Sequence, residues 1–388
     1  MEAHAQTSTP KRPNDRFLFN QVPPHPNLLV SVIVPVRNEA HHLVQTLEAL
    51  RQQCEDDGRP LDATQYEVLL LANNCTDASY DVALAYARQH PTFALHVTAV
   101  QLPPKQANIG TVRRLLMDEA CRRLLSAGHL HNGVIASTDG DTVVDHQWLY
   151  HTLREIENGS DAVGGRILTR PGRSQARLFH LRDVMYRTLM ARAEAVLDPR
   201  PHDPWPRHFQ HFGASFAVTC RVYEQVGGLP RKPFLEDEAF YRALLRRDVK
   251  IRKSPSVKVY TSARQQGRVA VGFSEQMRRW ASLTRAKTKC QMAEPPEAVL
   301  LRLRCRQRLR TWWQTRHENP DAELLAGIAR DLLIEPSFLR REARTCEYFG
   351  HLWEKVEKRM AAGQWAEFWQ PVPITQAILE LRAYLNSR

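Results

Sequence analysis

The chain has 388 residues and a formal net charge of +12, from 54 Lys or Arg against 42 Asp or Glu. This length allows one α/β domain of about 250 residues and a further unit. The sequence holds no run of the roughly 18 apolar residues that a spanning helix needs. The seven cysteines have no C-x-x-C spacing, which argues against a disulfide framework or a structural zinc site.

The first 27 residues are polar and proline-rich and contain no apolar core of a signal peptide. This composition predicts a disordered tail over residues 1–27. We predict an α/β domain over residues 28–287 and a helical C-terminal region over residues 288–388. The absence of targeting signals and the cysteine usage favour a reduced, cytoplasmic setting.

From residue 29 onward, strands and helices alternate. The apolar, β-branched runs 29–36, 66–71, 94–100 and 133–136 predict four strands. Helices are predicted between them at 41–51, 78–89 and 111–126. Alternation at this spacing is typical of a mainly parallel sheet covered by helices on both faces.

Each predicted strand ends in a polar loop, and the last of these loops is the most informative. It is Asp139-Gly140-Asp141, two carboxylates two positions apart after a buried strand. Ligands bind at the carboxyl ends of the strands in such sheets, and carboxylates can hold Mg²⁺ or Mn²⁺ against a diphosphate. Taken alone, the triplet is also ordinary turn chemistry.

The order of the motifs resembles that of the family 2 glycosyltransferases of the GT-A fold. The matching segments are 31–39, 73–77, Lys105 with Asn108 and Gly110, Asp139-Gly140-Asp141, Gly213-Ala214-Ser215, Glu236-Asp237 and Gln276-Met277-Arg278-Arg279-Trp280. Together they cover roughly residues 28–287. The resemblance implies a GT-A Rossmann-like fold with a mainly parallel central sheet, followed here by a helical C-terminal region. It also implies a hexosyltransferase-type enzyme that moves a sugar from a nucleotide-diphosphate-sugar to an acceptor hydroxyl with inversion.

The resemblance also assigns roles to residues. Asp237 is the expected general base, supported by Glu236, although acids in a first helical turn also stabilise the helix dipole. Asp139 and Asp141 are the expected ligands of Mg²⁺ or Mn²⁺. The expected donor-binding residues are Pro35, Arg37, Glu39, Asn73, Asp77, Lys105, Asn108, Asp139, Arg264 and Arg268. The expected acceptor-side residues are Gly213, Ala214, Ser215, Gln276, Arg279 and Trp280.

Two departures from the family pattern affect the donor site. Ala72-Asn73 stands where the family usually has an Asp-Asp pair, and no histidine occurs between Val249 and Gly272 as a further metal ligand. The amide of Asn73 can both donate and accept hydrogen bonds to a base edge. The resemblance to the family favours a UDP-sugar as the donor, with a GDP-sugar as the alternative. The acceptor is not named by the sequence.

Helices are predicted in the C-terminal region at 297–314, 321–333, 336–359 and 374–385. The first carries five arginines between Arg302 and Arg310, followed by Trp312-Trp313. Such a helix can pack on its own domain with a solvated arginine face, or lie on an anionic membrane surface. A peripheral contact at the inner membrane surface is therefore the alternative to a purely cytoplasmic location. Trp205, His208 and His211 precede Gly213 and are weaker candidates for the acceptor cleft.

Three other functions fit the sequence less well. A nucleic-acid-binding protein would explain the net charge, but the sequence shows no nucleic-acid motif, so we expect no nucleic acid among its partners. A nucleotidyltransferase also manages a metal-bound diphosphate, yet no phosphate-cradling glycine-rich loop follows the first strand. A catalytically silent nucleotide-binding relative is disfavoured because Asp139, Asp141 and Asp237 are all present.

Overall fold

The computed structural model describes residues 18–19, 22–169, 176–261, 290–317 and 321–387. The strands are β1 Val30–Val36, β2 Tyr66–Asn73, β3 Leu95–Val100, β4 Val134–Ser137, β5 Thr142–Val144, β6 Ala162–Thr169, β7 Phe216–Thr219, β8 Ile251–Thr261, β9 Met292–Ala293 and β10 Val372–Pro373. The helices are α1 Ala40–Arg51, α2 Ser79–Gln89, α3 Ile109–Ser126, α4 Trp148–Glu157, α5 Ala176–Leu197, α6 Cys220–Gln225, α7 Glu236–Arg246, α8 Pro296–Thr315, α9 Ala322–Asp331, α10 Pro336–Thr345, α11 Phe349–Ala361, α12 Trp365–Phe368 and α13 Ile374–Asn386.

Among the described residues, eight strands form one sheet in the order β3-β2-β1-β4-β7-β6-β8-β5. β1 pairs in parallel with β2 and β4, and β2 pairs in parallel with β3. Every residue of β1 and β2 is buried, as expected for parallel strands covered on both faces. The four strands predicted before Asp139 are confirmed, and so is the α/β fold class with C-terminal helices.

The other half of the sheet is antiparallel. β7 pairs antiparallel with β4 and β6, and β5 pairs antiparallel with β8. These four strands are short or interrupted by polar residues, so their sequences carry little periodic signal, and they were not predicted. Their effect is to place the segment before β7 beside the end of β4, where Asp139 lies.

The chain divides into two compact units. The first comprises Met1–Arg170, Gln210–Phe240 and Pro255–Ala263; the second comprises Pro171–Phe209, Tyr241–Ser254 and Arg264–Arg388. The core of the first unit is built on β1, β2 and the apolar side of α1. The second unit has helical cores that centre on α8. The predicted domain boundary at residue 287 stays a prediction.

A buried ion pair stabilises the first unit. Arg123 Nη2 lies 2.6 Å from Glu67 Oε2, and Ser31 Oγ donates to Glu67 Oε1 at 2.7 Å. Burial raises the pKa of Glu67, but hydrogen bonds from His96 and Arg123 outweigh this and lower the pKa to about 2. Arg123 also donates to the carbonyl oxygen of Val22 at 2.8 Å, so the pair holds part of the N-terminal segment.

One predicted helix is wrong in extent. Residues 336–359 were expected to form one helix, but α10 ends at Thr345 and α11 begins at Phe349. The carboxylate of Asp248 accepts hydrogen bonds from the backbone N–H groups of Phe349 and Gly350 at 2.7 and 2.8 Å. These two donors are unsatisfied at any helix start, so the distant aspartate stabilises a new N-terminus that local periodicity does not show.

The arginines of α8 are engaged within the second unit. Arg310 Nη2 lies 2.9 Å from Asp198 Oδ2, and Arg306 Nε donates to the same oxygen at 2.5 Å. Arg308 pairs with Asp331 at 2.7 Å. Much of this helix therefore packs within its own unit, which is the first of the two arrangements predicted for it. No helix among the described residues is long and apolar enough to cross a membrane.

Candidate active site

The loops after β1 and β2 are tied together at the carboxyl edge of the sheet. Asp77 Oδ2 accepts from the backbone N–H of Ala40 at 3.2 Å, and its Oδ1 accepts from Ser79 Oγ at 2.6 Å. Ser79 Oγ in turn accepts from the backbone N–H of Glu39 at 2.7 Å. Asp77 thus orients the starts of both α1 and α2, which is a structural task beside its predicted donor role.

The Asp139-Gly140-Asp141 turn packs directly on the end of β1. A Cβ on Gly140 would lie 3.0 Å from Val36 Cγ2 and 3.5 Å from the carbonyl oxygen of Pro35. Thr46 Oγ1 donates to the carbonyl oxygen of Gly140 at 3.1 Å. Because the turn is held from two sides, the carboxylates of Asp139 and Asp141 start from a defined backbone position.

Arg113 on α3 connects this turn to the Glu236-Asp237 pair. Its Nη2 lies 2.6 Å from Asp139 Oδ1, and its Nη1 donates to Glu236 Oε1. The arginine is buried, and a Cβ on Gly213 would overlap its guanidinium. One planar group therefore contacts three of the motifs that the sequence placed far apart.

Negative charge is concentrated around Asp139. The groups that act on it most strongly among the described residues are Arg113 and the three carboxylates of Asp141, Glu236 and Asp237. Burial and these carboxylates raise the pKa of Asp139 to about 6 although Arg113 lowers it. Burial and the charge of Asp237 also raise the pKa of Glu236. Such shifts are typical of sites where a cation or a proton is exchanged.

Asp237 lies in the first turn of α7, next to the segment that precedes β7. Its Oδ2 accepts from the backbone N–H of Gly213 at 3.1 Å, and its Oδ1 accepts from the N–H of Glu238 at 2.8 Å. The residue is only partly buried. Glu238 Oε2 is 2.6 Å from His211 Nε2, so this third acid of the turn is paired with a histidine.

The Gly213-Ala214-Ser215 segment forms a short 3₁₀ turn beside Asp237. Ser137 Oγ donates to the carbonyl oxygen of Gly213 at 2.8 Å, and Ser215 Oγ accepts from Trp148 Nε1 at 2.9 Å. Ser215 and Trp148 are fully buried. The hydroxyl of Ser215 thus has a packing role, and its predicted acceptor contact stays a prediction, as does that of Ala214.

The predicted donor-binding residues occupy the same edge with different exposure. Asn73 ends β2, its side chain is buried, and its Oδ1 has no hydrogen-bond partner among the described residues. Asn108 caps α3 by accepting from the backbone N–H of Thr111 at 2.9 Å. Lys105 is exposed, and Arg37 Nη1 donates to the carbonyl oxygen of Ala107 at 3.1 Å. Donor binding by these residues, and by Pro35 and Glu39, stays a prediction.

Five predicted site residues lie outside the described residues: Arg264, Arg268, Gln276, Arg279 and Trp280. Of the weaker candidates, His208 is buried and pairs with the carbonyl oxygen of Ser254 at 3.1 Å. His211 pairs with Glu238, the residue that follows Asp237. Trp205 is exposed.

The described residues contain no group of three or more His, Cys, Asp or Glu side chains placed to hold a metal ion. The available donors at the site are the two carboxylates of Asp139 and Asp141. Mg²⁺ typically takes only one or two protein carboxylates and completes its shell with water and substrate phosphates. The negative charge around Asp139 and the hard oxygen donors therefore fit such an ion.

Arg113 belongs to none of the sequence motifs and was not predicted as a site residue. In a chain with 54 Lys and Arg, one helical arginine has no distinctive local signal. Its position in the sequence was the available signal. Arg113 follows the Lys105-to-Gly110 loop by three residues, so it must lie in the first turns of the helix that begins after this loop, close to the predicted donor-binding residues.

Residues 31–221 match the family model described as glycosyl transferase family 2. A curated relative, a dolichyl-phosphate beta-glucosyltransferase from Drosophila melanogaster, is 30% identical over 109 residues, which are 28% of this chain and 33% of that protein. The chain therefore matches about a third of the length of this relative. The match confirms the family predicted from the motifs over residues 31–221.

Two solved structures are also similar to this chain. One is S. aureus TarS 1–349 in complex with UDP, at 16% identity over 86% of this chain and 92% of that chain, with a TM-score of 0.42. The other is the mannosyltransferase PcManGT from Pyrobaculum calidifontis in complex with GDP-Man and Mn²⁺. It is 15% identical over 97% of this chain and 88% of that chain, with a TM-score of 0.41.

Proposed function

Residues 31–221 form a glycosyl transferase family 2 domain, and we propose that the chain is an inverting glycosyltransferase. It would transfer a sugar from a nucleotide-diphosphate-sugar to an acceptor hydroxyl. The observation that carries the proposal is the meeting of Asp139, Glu236 and Asp237 around Arg113 at the carboxyl edge of the sheet. The edge is where ligands of α/β sheets bind.

Asp237 acts as the general base in this proposal. Its carboxylate is partly exposed and is aimed by the backbone N–H groups of Gly213 and Glu238. A carboxylate held in this way can accept the proton of an acceptor hydroxyl, which is worth about 10²–10⁴-fold in rate. Glu236 is turned away to Arg113, so its role is to position the guanidinium.

We propose that the donor diphosphate binds beside Asp139 and Asp141. Asp141 and the second oxygen of Asp139 would hold Mg²⁺ or Mn²⁺, whose chemistry is to neutralise the charge that develops on the leaving diphosphate. The unpartnered Oδ1 of buried Asn73 suits a base with an imino N–H donor, as in uracil or guanine. A UDP-sugar is favoured, with a GDP-sugar as the alternative.

Calorimetric titration tests the donor site first. UDP, GDP, ADP and CMP are titrated with and without Mn²⁺ into the wild type, Asp141→Asn and the control Asp81→Asn, which makes the same change at an exposed position of α2. We expect metal-dependent binding of UDP or GDP that Asp141→Asn abolishes and Asp81→Asn retains. Absence of nucleotide binding in the wild type would refute the proposal, and binding in Asp141→Asn that equals the wild type would refute the metal assignment.

Donor hydrolysis or transfer to a panel of acceptors then tests the base. Asp237→Asn should lower kcat by about 10²–10⁴-fold while leaving donor affinity within a few-fold of the wild type. The sugar must leave with inverted anomeric configuration, which NMR of the first product reports. A retained configuration, or release of sugar 1-phosphate with transfer of the nucleoside monophosphate group, as a nucleotidyltransferase would give, would contradict this mechanism.

A further inference from the structure

Helix α5 of the second unit exposes large apolar side chains along one side. Leu178, Leu181, Met185 and Val196 are 53%, 50%, 38% and 45% exposed. Their spacing in sequence places them on the same side of a helix with 3.6 residues per turn. Leu189, which lies in the same row between Met185 and Val196, is buried together with Tyr186 and Ala193 in a core shared with α8 and α13. We call the four exposed residues the α5 face.

Cationic and aromatic side chains border the α5 face. The guanidinium of Arg192 lies 6.0 Å from the ring centre of Trp205, which is 46% exposed. Arg382 Nη2 lies 3.4 Å from Met185 Sδ, and Arg182 is 6.0 Å from the ring of Phe179. Tryptophan and arginine beside exposed leucines are typical of a surface between water and lipid.

The acids of α5 lie away from this border. Asp183 Oδ2 is 2.9 Å from Arg187 Nε, and Glu194 pairs with Arg207 and Arg306. Both carboxylates are therefore neutralised within the second unit. The α5 face combines apolar area with a positive border, a pattern that complements a bilayer with anionic headgroups.

We propose that the α5 face docks on the surface of an anionic lipid bilayer. Leu178, Leu181 and Met185 enter the boundary between headgroups and acyl chains, while Arg182, Arg192 and Arg382 contact lipid phosphates. This places membrane contact on α5 and not on the basic helix α8, whose arginines pair with Asp198 and Asp331. The proposal uses residues other than those of the candidate active site and does not depend on the activity.

Vesicle co-sedimentation of the full chain tests the proposal. The vesicles are phosphatidylcholine alone, and phosphatidylcholine mixed with phosphatidylglycerol. Leu181→Glu removes an apolar contact from the α5 face, and Leu245→Glu makes the same change at a leucine of α7 that is 41% exposed. Circular dichroism and thermal unfolding establish that both variants fold.

The wild type should bind the anionic vesicles and lose that binding at high salt. Leu181→Glu should weaken it about tenfold or more, Arg182→Gln about fivefold, and Leu245→Glu less than twofold. Equal losses in the two leucine variants, or no sedimentation of the wild type with anionic vesicles, would overturn the proposal. So would self-association without lipid that Leu181→Glu abolishes, because a second copy would then be the occupant of the α5 face.

Discussion

Replacement of Arg113 by methionine should lower the stability of the protein in a pH-dependent way, because the negative charge of the site loses its buried cation. The substitution keeps much of the volume of the side chain but removes the guanidinium that contacts Asp139 and Glu236. Glu236 is almost fully buried, so without its partner it would take up a proton. Breaking a buried pair from one side typically costs about 3–5 kcal/mol.

The magnitude follows from the protonation of Glu236. The ordinary pKa of its carboxyl is 4.5, and holding it neutral at about pH 7 costs about 3 kcal/mol at about 1.36 kcal/mol per pH unit. At about pH 5 the same cost falls to about 1 kcal/mol. The sign is that of an acid whose folded pKa is raised: the folded state then binds more protons than the unfolded state, so stability falls as pH rises.

Urea unfolding of the wild type and Arg113→Met at several pH values measures this effect. Because the pKa of Glu236 is already raised in the wild type, these costs are upper limits. We expect the difference in unfolding free energy to grow with pH, from at most about 1 kcal/mol near pH 5 to at most about 3 kcal/mol near pH 7. Adding Glu236→Gln to Arg113→Met should recover most of that difference, because the uncompensated carboxyl is gone. Arg113→Lys is the control that retains charge but cannot reach both partners with one planar group.

A loss of stability that is the same at both pH values would refute the reasoning, because the cost would then come from packing and not from charge. A loss below about 0.5 kcal/mol at both values would show that Glu236 tolerates ionisation without Arg113.

Two further predictions concern the first unit and one the second. Glu67→Gln should lower stability near pH 7 by about 3 kcal/mol, because the ionised carboxylate stabilises the fold above its unfolded pKa. That contribution disappears as pH falls from 4.5 toward about 2, so urea unfolding from pH 7 down to pH 3 should show the two proteins converging; a constant difference would contradict the assignment. Gly110→Ala should destabilise by about 1–3 kcal/mol, since its Cβ would overlap the backbone carbonyl oxygen of Lys232. The matched change is Gly327→Ala, in a helix where the added Cβ would have its nearest side-chain atoms 3.7 and 4.0 Å away. This substitution should instead stabilise the protein by up to about 1 kcal/mol. Thermal unfolding that ranks the two glycine variants the other way would refute the packing argument.

The strands and helices of the first half of the chain could be predicted closely because their signals are local. β1 and β2 are apolar runs, and the helix after β1 repeats leucines at helical spacing. The predicted ends of α3 differ from the observed ones by two residues or fewer, and the structure shows that Asn108 is its side-chain N-cap. The break between α10 and α11 was missed because its capping carboxylate, Asp248, lies 101 residues before Phe349.

The candidate site also has one part that the sequence predicted and one part that it did not. Asp139, Asp141, Glu236 and Asp237 could be named from short motifs whose order matches a family. The sequence by itself determined which acids are present and that the strands ending before them form a sheet. Only the tertiary structure decided that Arg113 lies between Asp139 and Glu236, which are 26 and 123 residues away from it. The reason is physical: a hydrogen bond across the sheet edge depends on strand order and helix packing, and no local pattern of residues encodes either.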